Sequence, residues 1–223
     1  MTQNNIFSEF EPRRNTYIHS SWLAKPLSGD RQCELFSWVQ ANYKIPKQDS
    51  DFDLEAYKIE HRAVVDKTAQ HLESLGYTVH TEGSNGFWVD IGNGKAVISA
   101  QPDIVAVHGS QVLVGECKTG KPRAADIAQN MIYTALIPVV KLHGITVIPE
   151  GQVVYRNYSP QEISSKKIDE EFKGRMRKLV RMLIDSEPPA PTPSFNECQY
   201  CPIAQSCNYK IEEQANGSAD WLK

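Results

Sequence analysis

Residues 95–137, KAVISAQPDIVAVHGSQVLVGECKTGKPRAADIAQNMIYTALI, constrain this chain more than any other stretch. Apolar, β-branched runs at 96–99, 104–107 and 111–114 flank a short Gly-Ser break, the pattern of a β-hairpin. With Gly109-Ser110 as a two-residue turn, His108 lies opposite Gln111, Val107 opposite Val112, and Asp103 opposite Glu116. Opposed side chains sit roughly 4.5–5.5 Å apart at Cβ, and Lys118, two residues beyond Glu116, shares their face. The sequence therefore places two carboxylates and an ammonium on one side of a hairpin end. Like charges directly opposed destabilise a sheet. A divalent cation between them reverses that sign and supplies a Lewis acid, leaving Lys118 to hold an attacking water or a phosphate. The plainer reading is a solvated hairpin end with a Glu–Lys pair, since E-x-K alone is common.

The flanking chain reads as alternating helices and strands. Residues 54–75 hold no Gly or Pro and predict a long helix, with Val64, Thr68, His71, Leu72 and Leu75 on a core-facing stripe and Gly76 ending it. Strands are expected at 77–81 and 87–91, and Asn93-Gly94 is a turn leading into the hairpin that carries Asp103. After a Thr119–Pro122 loop, residues 124–136 predict a helix stopped by Pro138, with Ile127, Met131 and Ala135 in a stripe and Gln129 and Tyr133 sharing another face. Residues 144–148 and 152–155 predict a second hairpin around Pro149-Glu150-Gly151. Residues 168–185 form a helix with Phe172, Met176, Leu179, Val180 and Leu183 inward. Its Lys173, Arg175, Arg177, Lys178 and Arg181 are either a solvated face or a local phosphate-binding patch. A local patch is needed for DNA, because the net charge of −3 gives no global footprint.

Cysteine usage adds the second constraint. The chain holds five cysteines. Cys198, Cys201 and Cys207, spaced C-x2-C-x5-C, follow a stiff connector of Pro188, Pro189, Pro191 and Pro193. Thiolates this close in sequence point to a soft metal rather than to a disulfide framework. A zinc site with four cysteine ligands is one reading; an iron–sulfur cluster needs the same thiolates. Cys33, at the head of a short helix carrying Leu35, Phe36, Val39 and Tyr43, is either a plain buried cysteine or the missing fourth ligand. Cys117 is excluded, because its side chain points away from the face of Glu116.

The order of these motifs resembles the PD-(D/E)XK nucleases. Pro102-Asp103 followed by Glu116-Cys117-Lys118 matches their defining pattern, Gln129 and Tyr133 resemble the Q-x-x-x-Y motif of the RecB-like branch, and the cysteines resemble its iron–sulfur members. These include the AddB-type nuclease domain and the CRISPR-associated Cas-four-type exonucleases. The resemblance runs from about Cys33 to Cys207. It implies an α/β, restriction-endonuclease-like core with a mixed central sheet flanked by helices, closed by a 4Fe–4S cluster on Cys33, Cys198, Cys201 and Cys207. It also implies Mg²⁺ or Mn²⁺ on His61, Asp103, Glu116 and the backbone carbonyl of Cys117. His61 matches the family order better than His71, and Glu60 is a substitute. Lys118, Gln129 and Tyr133 complete the catalytic set.

The implied function is a metal-dependent deoxyribonuclease, an exonuclease acting on single-stranded DNA or DNA ends, in CRISPR spacer acquisition or in recombination and repair. A helicase or a CRISPR integration protein would be a separate partner. The rivals are a non-catalytic DNA-binding or interaction module of the same fold, and a zinc-stabilised interaction protein. The expected layout is an irregular N-terminal segment (1–30), the nuclease core (31–187), the Pro-rich connector with the cysteine cluster (188–210) and a loosely ordered tail (211–223) apart from Trp221 and Leu222. No apolar run reaches the length of a membrane span and no signal peptide is read, so a cytoplasmic location is the default.

Overall fold

The computed structural model describes residues 6–46 and 51–213; Trp221 and Leu222 lie outside them. In chain order the elements are β1 (Glu11–Pro12), β2 (Thr16–His19), α1 (Ser20–Ser28), α2 (Glu34–Asn42), β3 (Tyr43–Lys44), α3 (Leu54–Ser74), β4 (Thr78–Thr81), α4 (Glu82–Asn85), β5 (Phe87–Ile91), β6 (Ala96–Ala100), β7 (Ile104–His108), β8 (Gln111–Lys118), α5 (Ala124–Val140), β9 (Glu150–Tyr155), β10 (Gln161–Ile163), α6 (Glu170–Ile184) and α7 (Phe195–Gln199). The fold is mixed α/β, with two mixed sheets flanked by helices. One has five strands in the order β10-β9-β8-β7-β4, and the other three in the order β2-β6-β5.

The hairpin has the register read from the sequence. β7 and β8 pair antiparallel with His108 opposite Gln111, Val107 opposite Val112 and Ile104 opposite Gly115. Gly109 takes the positive φ of +60° that the tight turn requires. Alternation along the strands then separates two layers. Val105 and Val114 face a core shared with Ile132, Tyr133 and Ile137 of α5. Ile104, Ala106 and Cys117 face Val64, Val65 and Leu72 of α3. Cys117 is thus packed under α3, on the other side of the strand from Glu116.

Four expectations are corrected. Residues 144–155 do not form a hairpin: β9 runs parallel to β8 and pairs antiparallel with β10, so β8, α5 and β9 make a β-α-β crossover. The chain leaves α5 through left-handed backbone at Lys141 and His143 instead. The α5 helix passes through Pro138 and ends at Val140, two residues beyond it, so the proline forgoes one bond of the last turn without stopping the helix at its own position. The described part of the 1–30 segment, residues 6–30, is not irregular. β2 pairs parallel with β6, and Ile18, Leu23 and Ala24 are buried in the main core. Few apolar residues mark this segment, but Ile18, Leu23 and Ala24 all turn inward. On α3, Val64, Thr68 and Leu72 are buried as expected, whereas His71 and Leu75 are exposed. Among the described residues no helix is long and apolar enough to cross a membrane.

Candidate metal centre

At the open end of the β7–β8 hairpin the chain gathers its buried charges. Asp103 sits one residue before β7 and its Oδ2 accepts the Cys117 backbone N–H at 2.6 Å. That bond fastens the carboxylate across the hairpin. Behind it, Asn85 donates to the carbonyls of Pro102 (3.2 Å) and His80 (2.9 Å) and faces His143 Nε2 at 2.9 Å, fixing the bend at Pro102-Asp103. The first half of α3 brings His61 over the same strand end. Its Nε2 lies 3.2 Å from the Cys117 carbonyl and 3.3 Å from Asp103 Oδ2. His71, two and a half turns further on, is exposed and remote from this group.

A ring nitrogen facing two oxygen acceptors needs a positive charge between them, a proton or a metal ion. The hydrogen bond to Asp103 raises the His61 pKa against the opposing effect of burial. Glu116 presents the same demand. It is 3% exposed, its Oε2 is buried without a protein partner, and its Oε1 is held by Lys118 Nζ at 2.5 Å. Burial, reinforced by the charge of Asp103, pushes its carboxyl up to about 8. Burial alone would lower the Lys118 pKa, but the Glu116 charge and hydrogen bond outweigh it and raise it. This donor set, carboxylates with one imidazole and a backbone carbonyl, fits a hard divalent cation, and the orphaned Glu116 oxygen fits the same occupant.

Lys118 is steadied from α5. Its Nζ donates to Gln129 Oε1 at 3.2 Å, and Gln129 Nε2 donates to Tyr133 Oη at 2.6 Å. Gln129 and Tyr133, paired at i and i+4, thus join the charged group rather than a surface. Ser20, at the start of α1, donates to the same Tyr133 oxygen at 3.4 Å. The crossover itself is clamped by Asn130, whose side chain donates to Val114 O (2.9 Å) in β8 and to Gln152 O (3.3 Å) in β9. All six residues expected here, namely His61, Asp103, Glu116, Lys118, Gln129 and Tyr133, are brought together.

One acidic residue escaped the sequence reading. Among the described residues, His61, Glu82 and Asp103 form the group whose ligand atoms all lie within 4.8 Å of one another. Glu116 stays outside it, with Oε1 turned to Lys118. The signal was the strand before Glu82: β4 pairs with β7, Thr81 opposite Ile104, so the next pair in register is Glu82 with Asp103. Asn85, Asn130 and Ser20 gave no signal, because a polar residue in a helix or turn is ordinarily solvated.

The other cysteines gather far from this hairpin. Cys33, Cys198, Cys201 and Cys207 all line one cavity of about 370 Å³. Glu197 holds its walls together, accepting the backbone N–H of Gln32 (2.7 Å) and Cys33 (3.3 Å) while Ser194 donates to its other oxygen. Thr192 donates to the Gln32 carbonyl at 2.6 Å. The Pro-rich connector is thus pinned to the loop before α2. No three of the four sulfurs lie within 4.8 Å of one another.

No family model and no curated protein matches the chain. Among solved structures the chain is similar to SSO0001, whose crystal structure matches at 16% identity and a TM-score of 0.46 over 90% of each chain.

Proposed function

We propose that this chain is a metal-dependent deoxyribonuclease with a restriction-endonuclease-like core, acting as an exonuclease on single-stranded DNA or DNA ends. One observation carries the reading: His61 Nε2, Asp103 Oδ2 and the Cys117 carbonyl converge while Glu116 Oε2 is buried without a partner. Mg²⁺ or Mn²⁺ would be held by His61, Asp103, Glu116 and the Cys117 carbonyl. When bound it supplies an activated water and charge neutralisation at the phosphate.

The chain's own residues prepare the rest. Lys118 is kept protonated by Glu116, so its ammonium is set to stabilise negative charge developing on a phosphate oxygen. Gln129 and Tyr133 are positioning residues that hold Lys118 in one rotamer. The exposed basic residues of α6, Arg175, Arg177, Lys178 and Arg181, are available to DNA phosphates. The preference for a DNA end, and a role in CRISPR spacer acquisition or repair beside a helicase or integration partner, rest on the motif resemblance alone.

Cys33, Cys198, Cys201 and Cys207 line one cavity. A 4Fe–4S cluster on these four thiols rests on the motif resemblance, and a zinc site with four cysteine ligands is the alternative.

The test is digestion of linear and covalently closed circular single-stranded DNA with Mg²⁺ or Mn²⁺, using the parent and Lys118→Ala. Cleavage of the linear form alone, lost in Lys118→Ala, is expected. Cleavage of both forms overturns the exonuclease assignment, and a Lys118→Ala protein as active as the parent overturns the catalytic one.

A further inference from the structure

We infer that the outer face of the three-stranded sheet is a stacking platform for an unpaired DNA strand, running from the hairpin end to Arg13. The inference rests on the nuclease reading and deepens it, by assigning a surface that carries the strand away from the cut. The strand order β2-β6-β5 and its register place two rows of side chains on this face. His19, Ser99 and Trp88 form the first, since both His19 and Trp88 stand opposite Ser99. Tyr17, Val97 and Asp90 form the second. The alternate residues Ile18, Ile98 and Phe87 are buried on the other side, as a period of two requires.

The face is aromatic and open. Trp88 is 71% exposed, and stacking by a base would cover its indole whatever the DNA sequence, because every base has a π-face. Across the sheet the Tyr17 ring meets Trp22 of α1 edge-on at 5.7 Å, and Trp22 lies 5.9 Å from the His19 ring. Positive charge stands at both ends. The first row is continuous with the candidate metal site: Ser20, next after His19, donates to Tyr133, and β6 runs through Gln101 and Pro102 into Asp103. Burial, and then the Lys118 charge, lower the His19 pKa, so Lys118 is within electrostatic reach of this row. Beyond the second row, the Arg13 guanidinium lies 5.5 Å from the Tyr17 ring and 5.7 Å from the Trp22 ring. Among the described residues its Nε is buried without a hydrogen-bond partner. Arg13, Arg14 and Lys95 line a cavity of about 640 Å³ there, against the single carboxylate of Asp185. Asp90, the acidic residue of the face itself, is tied to the β5–β6 turn, its Oδ1 accepting the Gly94 N–H at 2.8 Å. Cations flanking a row of rings match a strand that alternates phosphate charge with base faces. From Trp88 to Tyr17 is two strand spacings across and two residues along, about 12 Å, the length of three or four nucleotides at about 3.4 Å each. A duplex keeps its base faces inside its own stack, so the unpaired strand is the occupant that fits.

The probes are a labelled oligothymidylate and an abasic oligodeoxyribose phosphate of the same length, titrated by anisotropy into the whole chain in a divalent chelator. Trp88→Ala is expected to bind the oligothymidylate at least about fivefold more weakly, to bind the abasic probe as the parent does, and to keep its melting temperature. Trp88→Phe is expected to keep most of the affinity while losing the tryptophan quenching that the parent shows on binding. Arg13→Gln is expected to weaken both probes and to lower the slope of log affinity against log salt by about 0.7. A Trp88→Ala protein that binds the oligothymidylate like the parent, or that loses as much on the abasic probe, overturns the platform. An Arg13→Gln protein with the parent's salt slope overturns its path to Arg13. Adding Mn²⁺ to the same mixtures tests the nuclease reading separately. Cleavage by a parent whose binding ignores Trp88 keeps that reading without the platform, and Trp88-dependent binding without cleavage keeps the platform without that reading. A parent that neither binds nor cuts overturns both.

Discussion

Lys118→Met and Glu116→Gln, singly and together, dissect the ion pair buried at the hairpin end. Glu116 lies buried beside Asp103, and its carboxyl is pushed up to about 8 from an ordinary 4.5. A carboxyl with a raised folded pKa contributes stability that is fully present below its unfolded pKa and is lost as pH rises through the folded one. For the protein stripped of divalent cations, the window is therefore pH 4.5 to about 8. Each unit within it costs about 1.4 kcal/mol, so the whole window costs about 5 kcal/mol. Lys118, with its own pKa raised, stays charged throughout and adds no slope there. Removing Lys118 alone leaves Glu116 without its counter-charge, raises its pKa further, and extends the decline beyond pH 8. Removing one partner of a buried pair typically costs about 3–5 kcal/mol; here that cost is deferred to alkaline pH, because Glu116 takes a proton first. The double variant removes both charges and should lose the slope. The assay is urea unfolding in a divalent chelator at pH 5, 7 and 9. Relative to the double variant, the parent should lose about 1.4 kcal/mol per unit up to pH 8, and Lys118→Met should go on losing to pH 9. Titrating groups remote from the pair are common to the series and cancel. A double variant with the parent's slope refutes the reasoning, and so does a Lys118→Met protein that levels off with the parent.

Two further perturbations test the scaffold and the ligand set. Gly151→Ala builds a Cβ 2.1 Å from Asn130 Oδ1 and 3.1 Å from Ile163 Cβ, so it should cost about 1–3 kcal/mol of overpacking and open the clamp between β8 and β9; an unchanged unfolding midpoint removes the clamp from the account. His61→Ala should weaken Mn²⁺ binding and cleavage strongly, while His71→Ala, at an exposed site, should leave the titration intact and change stability by less than about 0.5 kcal/mol; a normal titration for His61→Ala with a collapsed one for His71→Ala reverses the ligand assignment.

The hairpin end was legible because strand pairing has period two and the Gly109-Ser110 turn fixes its register; Asp103, Glu116 and Lys118 follow by counting. His61 was legible only through motif order, and the helix pitch then separated it from His71. What the residues did not reveal has a common cause. Glu82, Asn85, Asn130 and Ser20 act across strand or helix pairings that no local pattern announces. β9 misled for the same reason. Pro149-Glu150-Gly151 has the composition of a turn, yet Gly151 is there because Asn130 of the crossover helix comes too close for any side chain. The N-terminal elements were hidden by composition. β2 and α1 bury only a few apolar residues, and their value lies in neighbours far along the chain.

Those neighbours connect the cysteine cavity to the candidate metal site at the hairpin end. Cys33 stands at the start of α2, immediately before Glu34, and the loop before it leads back to α1, whose first residue Ser20 donates to Tyr133. Tyr133 in turn accepts from Gln129, which accepts from Lys118. The loop is held to the C-terminal segment by Glu197 and Thr192, but these contacts are exposed or half-buried, and each is worth only about 1 kcal/mol. A metal site that forms only in the folded state adds its binding free energy to folding, so ligation by Cys33 would be the strongest tie on this loop. Cys33→Ala should therefore lose iron and sulfide, loosen α1, and slow cleavage through the Tyr133–Gln129–Lys118 chain while leaving Mn²⁺ affinity at the hairpin unchanged. The mechanism demands non-additivity, because both changes break one chain: Tyr133→Phe should slow the parent but add little to Cys33→Ala. The measurement is single-turnover cleavage of the four proteins at saturating Mn²⁺. Multiplying effects would place the cysteine site outside the path to Lys118, and full iron and sulfide content in Cys33→Ala would remove Cys33 as a ligand altogether.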